Sequence, residues 1–234
     1  MAEIAERTLM AARVGVIFHG LGTPGRTLEE GEAPYWVTIE RFEMILDSIA
    51  ALPDPSRVRI SFDDGNASDM EIAVPRLLER GLTADVFALT GRLDQAGSLS
   101  SSDLRALVSM GMSVGSHGIH HRNLRHVTPK ELSQELRRSK AQLEAVLGRA
   151  VTDFSIPFGS YNARVLAAIR ASGYKVAWSS DRGRMSDHAF LRPRTSFRAD
   201  TDDAAVARIL KGELPLAEAA RRYLGMLSRR LSRR

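Results

Sequence analysis

The 234-residue chain contains no cysteine. That absence excludes disulfides, thiolate nucleophiles and thiolate metal ligands, so any metal must be held by imidazoles and carboxylates. No run of about 18 apolar residues occurs, so no membrane-spanning helix is expected. The first ten residues carry two glutamates and no continuous apolar core, which makes a poor secretion signal. The expected location is therefore the cytoplasm. No GxGxxG or GxxxxGK[ST] pattern follows a strand, which leaves a nucleotide-binding reading without support. Internal repeats, low-complexity tracts and linkers are also missing. One domain is expected, with a core over about residues 14–200 and a C-terminal helical segment over 201–234.

What is present is ordinary for a globular protein, 44% hydrophobic and 26% charged. The net charge of +5 gathers in the tail, at Arg221, Arg222, Arg229, Arg230, Arg233 and Arg234. Arginines confined to one tail give no case for nucleic-acid binding. The same tail carries Leu214, Leu216, Ala220, Leu224, Leu227 and Leu231 as an apolar stripe. It reads either as a barrel helix with a solvated face or as a basic amphipathic helix resting on an anionic membrane surface, the inner face of a membrane here. Nothing in the chain bears on oligomeric state.

Short apolar runs at Val14–Phe18, Val58–Phe62, Asp85–Leu89, Met112–Ser116, Asp153–Ile156, Lys175–Trp178 and Leu191–Phe197 read as strands. Helical patterns lie between them, from Thr38 to Leu52, Ser68 to Gly81, Ser102 to Val108, Pro129 to Leu147 and Asn162 to Ser172. The alternation predicts an α/β protein with a parallel sheet, doubly wound or closed as a barrel. Polar groups follow several different strands: His19, Asp63–Asp64, His117–His121, the Pro157 turn and Ser179–Asp181. A site spread over many strand ends favours the barrel.

Two stretches carry the chemistry. Ser61-Phe62-Asp63-Asp64-Gly65 ends a strand in adjacent carboxylates, which repel each other and call for a cation. His117-Gly118-Ile119-His120-His121 ends another, with two imidazoles four residues apart. One carboxylate and two imidazoles suit Zn²⁺ or a related divalent ion, and the second carboxylate is left to take a proton from water. His120 and His126 leave alternative pairings open. Tyr35 and Trp36, in the loop after His19, offer faces on which a sugar could stack.

These motifs, with Phe154-Ser155-Ile156-Pro157-Phe158-Gly159, resemble the polysaccharide deacetylases, the NodB-homology group of carbohydrate esterases, over about Val14 to Phe197. The resemblance implies a distorted (β/α)7 barrel that removes N-acetyl groups from an amino sugar or an oligo- or polysaccharide. It implies a divalent metal, commonly zinc with Co²⁺, Ni²⁺ or Mn²⁺ as alternatives, on Asp64, His117 and His121. Asp63 is then the general base, and Pro157 and Phe158 line the substrate site, the Phe158 N–H facing the oxyanion. Later motifs depart from the family. Ser155 stands where an arginine usually braces the catalytic aspartate, and Arg194 of Leu191-Arg192-Pro193-Arg194 is the expected substitute, ahead of Arg192. Only Trp178 and Asp181 suggest the fourth motif. The usual C-terminal general-acid histidine is missing, and His188 is the one candidate. The departures keep two other functions in view, hydrolysis of a small non-sugar amide and a non-catalytic sugar-binding scaffold with a vestigial site.

Overall fold

The computed structural model describes residues 13–231. Seven helices and eleven short strands alternate along it. The strands are β1 (Arg13–Phe18), β2 (Gly20–Leu21), β3 (Trp36–Val37), β4 (Val58–Phe62), β5 (Ala84–Ala88), β6 (Ser113–Ser116), β7 (Asp153–Ser155), β8 (Val176–Ser179), β9 (Arg184–Met185), β10 (Leu191–Pro193) and β11 (Thr195–Ser196). The helices are α1 (Ile39–Ala50), α2 (Val74–Glu79), α3 (Ser101–Ser109), α4 (Pro129–Leu147), α5 (Ala163–Ala171), α6 (Asp203–Lys211) and α7 (Leu216–Leu231).

Local chemistry sets most boundaries. The Thr38 hydroxyl accepts from Arg41 N to start α1. Thr128 and Glu131 form a reciprocal capping box around Pro129 at the start of α4, and Gly148 closes that helix in the left-handed conformation. Ser100, rather than a later serine, caps α3, because Asp103 three residues on completes the box. The helix expected from Ser68 opens instead as a π-turn over Asp69–Ala73. Pro75 has no N–H for the Glu71 carbonyl and its ring crowds that oxygen, so the preceding turn widens.

The large sheet runs β10-β8-β7-β6-β5-β4-β1-β11, all parallel, and β9 pairs antiparallel with the start of β1. Its two edges belong to one piece of chain. Leu191–Pro193 pairs with β8, and Thr195–Ser196 pairs with β1. The expected single last strand is therefore broken at one residue, Arg194, and the break nearly closes the sheet into a barrel. Between the sheet and α1 lies an aromatic cluster in which Phe18 meets Phe42, Phe62 and Phe197 at 4.9, 5.6 and 5.0 Å between centroids. All four rings are buried. Among the described residues no helix is long and apolar enough to cross a membrane. Leu224 and Leu227 of the C-terminal stripe are exposed, beside Tyr223, whereas the Leu216 and Leu231 side chains and residues 232–234 lie outside what is described.

The seam is tight. A Cβ on Gly15 would stand 2.6 Å from Arg194 Cγ and 3.1 Å from the Pro193 carbonyl oxygen. Gly15→Ala is expected to lower stability by about 1–3 kcal/mol through overpacking. Urea unfolding measures this, and an unchanged midpoint would show that the seam has slack.

Candidate active site

At the end of β4 the chain turns through two left-handed residues, Asp64 (φ 78°) and Gly65 (φ 69°). Aspartate tolerates that conformation better than most side chains. The turn sends the two neighbouring carboxylates different ways.

Asp63 points to the seam. Arg194 donates to Oδ1 from Nη1 and to Oδ2 from Nη2, both at 2.9 Å. The same guanidinium donates to Ser61 Oγ (2.7 Å) and Ser155 Oγ (2.5 Å), and Ser155 donates on to Asp63 Oδ2 at 2.9 Å. Asp63 is 4% and Arg194 1% exposed. Burial works against the charged carboxylate, yet the Arg194 guanidinium, with His117 in support, wins and holds Asp63 well below the usual carboxylate range. Ser155, at the place of the absent family arginine, is thus a partner of the arginine that stands in for it. Arg192 faces elsewhere, with Nε donating to the Ala189 carbonyl.

Asp64 points to the histidines. Its Oδ1 is buried without a hydrogen-bond partner, 3.4 Å from His117 Nε2 and 3.6 Å from His121 Nε2. One atom from each residue lies within 4.8 Å of the others. Each imidazole is oriented from its far side, His117 Nδ1 donating to the Ser155 carbonyl (2.9 Å) and His121 Nδ1 to Glu29 Oε2 (2.6 Å). Those bonds leave both Nε2 lone pairs facing the aspartate oxygen, so the three groups fit a divalent cation. The loop is held by buried Glu135 of α4, whose Oε2 accepts from Ile119 N (2.7 Å) and His120 N (3.1 Å). His120 itself turns to Glu135 Oε1, and His126 is exposed, which leaves His117 and His121 as the pair. Neither Glu29 nor Glu135 stood out in the sequence. Both are acids distant along the chain from the residues they orient, and no local pattern marks them.

Both aspartates and both histidines open into a cavity of about 330 Å³. His19 at the end of β1 lines it, with Nδ1 buried and unpartnered among the described residues and its ring 4.8 Å from that of Tyr35. Tyr35 is half-buried in the wall. Pro157, expected to line the substrate site, is instead buried behind the cavity wall, where it begins the turn that holds Phe158 at φ 59°. Phe158 is 58% exposed and stacks on His121 at 4.3 Å between centroids.

Three expected site residues lie elsewhere. Trp178 is fully buried, with Nε1 donating to Asp153 Oδ1 at 2.9 Å, and has no face for a sugar. Trp36 packs over Gly20, where a Cβ would come within 2.4 Å of its ring atoms, and donates to Glu32 Oε1. It is a loop anchor. His188 is exposed in the loop between β9 and β10, beside Asp187, which pairs with Arg13 at the start of β1. Strand starts and strand ends are opposite rims of the barrel, so His188 cannot reach the cavity and the general-acid expectation for it is withdrawn.

Two outcomes follow. Replacing Glu29 with Ala, which frees the His121 ring, is expected to weaken zinc binding about 10- to 100-fold by calorimetric titration, and unchanged affinity would show that the carboxylate does not orient the ligand. Burial, against the attraction of Asp63 and Asp64, pushes His117 down to about 4. In metal-free protein its neutral ring therefore takes up a proton on unfolding, and its contribution to stability falls away as pH drops from about 6.5 toward 4. The expected loss, roughly 3 kcal/mol, is the difference in acid dependence between wild type and His117→Gln in denaturant titrations.

The polysaccharide deacetylase family model matches residues 52–177, more than half of the chain. The YxkH protein of Bacillus subtilis is 28% identical over 134 residues, which are 57% of this chain and 48% of that one. The chain thus spans about half the length of that curated relative. Among solved structures, the Streptococcus pyogenes deacetylase PplD, in complex with acetate, superposes with a TM-score of 0.73 at 18% identity, over 86% of this chain and 98% of that one. IcaB from Ammonifex degensii gives 0.69 at 19%, over 86% and 97%. These likenesses establish the fold as the deacetylase barrel of the NodB type. From residue 52 onward, through the acidic strand, the histidine loop and on to β8, this chain belongs to the polysaccharide deacetylase family.

Proposed function

We propose that this chain is a metal-dependent deacetylase that removes the N-acetyl group from an amino sugar, free or within an oligo- or polysaccharide. The carrying observation is the divergence of two adjacent carboxylates in one cavity, Asp63 clamped in ionised form by Arg194 and Asp64 Oδ1 unpartnered before two imidazole nitrogens.

A divalent ion held by Asp64, His117 and His121, zinc by its donor set, would act as a Lewis acid toward the acyl oxygen and the attacking water. The remaining work belongs to the side chains. Asp63 accepts the proton of that water as it adds to the acyl carbon. Arg194 and Ser155 fix the carboxylate orientation, so little reorganisation accompanies the transfer. The backbone N–H of Phe158 faces the oxyanion of the tetrahedral intermediate. On collapse the C–N bond breaks, acetate leaves, and the amine needs a proton. His19, across the same cavity, supplies it in place of the missing C-terminal histidine. The exposed face of Phe158 and the ring of Tyr35 offer surfaces for the sugar.

The test couples elemental analysis of the purified protein to acetate release from N-acetylglucosamine oligomers. Asp63→Asn is expected to keep bound zinc and lose turnover by about 10²- to 10⁴-fold, whereas His117→Ala loses the metal. Normal turnover in Asp63→Asn would sink the assignment of the base. His19→Gln is expected to lower kcat about 10²-fold with zinc retained, and an unchanged kcat would remove its role as acid.

A further inference from the structure

Beside the metal cleft lies a second cavity, of about 410 Å³, between the barrel rim and α7. The two share a wall made of Phe158, Gly159 and Ser180. Their charges are opposed. Glutamates 29, 30 and 32 join the two aspartates and Arg194 around the first, whereas among the described residues four guanidinium groups, of Arg182, Arg221, Arg222 and Arg229, and two carboxylates, of Asp181 and Glu218, line the second.

The helix is seated deliberately. Arg229 pairs with Asp181, which is 9% exposed and also accepts from Tyr161 and Ser179 hydroxyls at 2.7 Å each. Gly183, at φ 77°, lets the Arg222 guanidinium pass close overhead, Nη1 being 3.2 Å from where a Cβ would stand. Asp181 is thus satisfied by the barrel and the anchor. Among the described residues the Arg182 guanidinium pairs with Glu218 alone, at 3.4 Å with both side chains about half exposed, and such a pair is weak. Arg221 is exposed, and among the described residues no hydrogen bond or ion pair engages it. Among the described residues, the positive charge of Arg221 and Arg182 is therefore not fully offset, across the Phe158–Ser180 wall from the reacting centre.

We propose that this second cavity is an anion subsite, and that the substrate is a phosphorylated N-acetylated sugar whose phosphate group lies among Arg182, Arg221 and Arg222. The proposal rests on the deacetylase reading. With the acetamido group over Asp64, His117 and His121 and the ring against Phe158, a substituent on the far side of the ring enters the arginine cavity. Guanidinium forks match phosphate oxygens in geometry as well as charge.

The test measures affinity rather than turnover, so it stands whether or not acetate is released, and loss of acetate release alone would sink only the deacetylase reading. Zinc-loaded full-length protein is titrated with N-acetylglucosamine 1-phosphate and with N-acetylglucosamine by NMR. The phosphorylated sugar is expected to bind at least about tenfold tighter, an advantage that falls with added salt. In Arg221→Gln/Arg222→Gln the advantage shrinks about tenfold. Glu218→Gln, which releases Arg182, moves it upward several-fold. Equal affinity for the two sugars overturns the subsite, and so does a preference that survives the double substitution, which would point to phosphate held at the metal. If the double variant instead loses only binding to phosphatidylglycerol vesicles, the arginines serve a lipid headgroup and the assignment is equally overturned.

Discussion

The fork between Arg194 and Asp63 sits where the barrel closes, and much else follows from that position. Arg194 is the one residue between β10 and β11, and those strands complete opposite edges of the sheet. Its backbone is tied to the β8 side, N donating to the Ser179 carbonyl while its own carbonyl accepts from Arg182, and the β1 side is held just beyond it, where Phe197 N donates to the Ile17 carbonyl. A buried guanidinium and carboxylate would cost several kcal/mol in lost hydration if either were left unpaired. Here two parallel bonds and two serine hydroxyls replace the water, and Phe87 lies under the guanidinium at 4.9 Å. The pair is poor evidence of added stability. Its consequence is orientation: a carboxylate kept ionised inside the barrel with its position set by closure itself.

That constraint explains how identical neighbours can do different work. Asp63 and Asp64 share a strand end, yet only one is compensated within the protein. Asp63 receives a cation from the fold, whereas Asp64 Oδ1 faces two imidazole Nε2 atoms, and burial pushes one of those rings, His117, down to about 4. A buried carboxylate oxygen without a donor is costly. With each Nδ1 donating on its far side, the two Nε2 lone pairs do not relieve that cost, because they too are acceptors. A shared divalent cation relieves all three at once, which is the physical case for a metal here and is independent of any relative.

Legibility in the sequence followed the range of the interaction. Val58–Phe62, Pro129–Leu147 and the Asn162 cap could be placed because strand pattern, capping chemistry and terminal glycine act within a few residues. The metal ligands and the paired aspartates were visible because each motif is contiguous. Glu29, Glu135 and His19 were obscure or undervalued because their meaning arises from contacts with chain 15 to 92 residues away, or from a rim shared by β1 and β4. Trp36 and Trp178 show the reverse error. Aromatic residues near motifs suggested stacking surfaces, but a large ring is more often spent on packing, and Asp153 and Glu32 take their N–H groups. The short strands β2, β3 and β9 carry too few residues for any periodicity to show.

Closure also bears on how a histidine from the start of the chain can serve a role the family usually assigns near its end. Because Val16 and Ile17 pair with Thr195 and Ser196, the residues after β1 and after β11 emerge side by side on one rim. A group on either loop can enter the same cavity, and His19 and Ser196 both do. Chain position is therefore a weak guide to where a proton donor must sit in a closed barrel; the strand neighbour decides. His188 follows His19 by most of the chain and precedes Arg194 by only six residues, yet it lies on the far rim because it comes before β10 begins rather than after it ends.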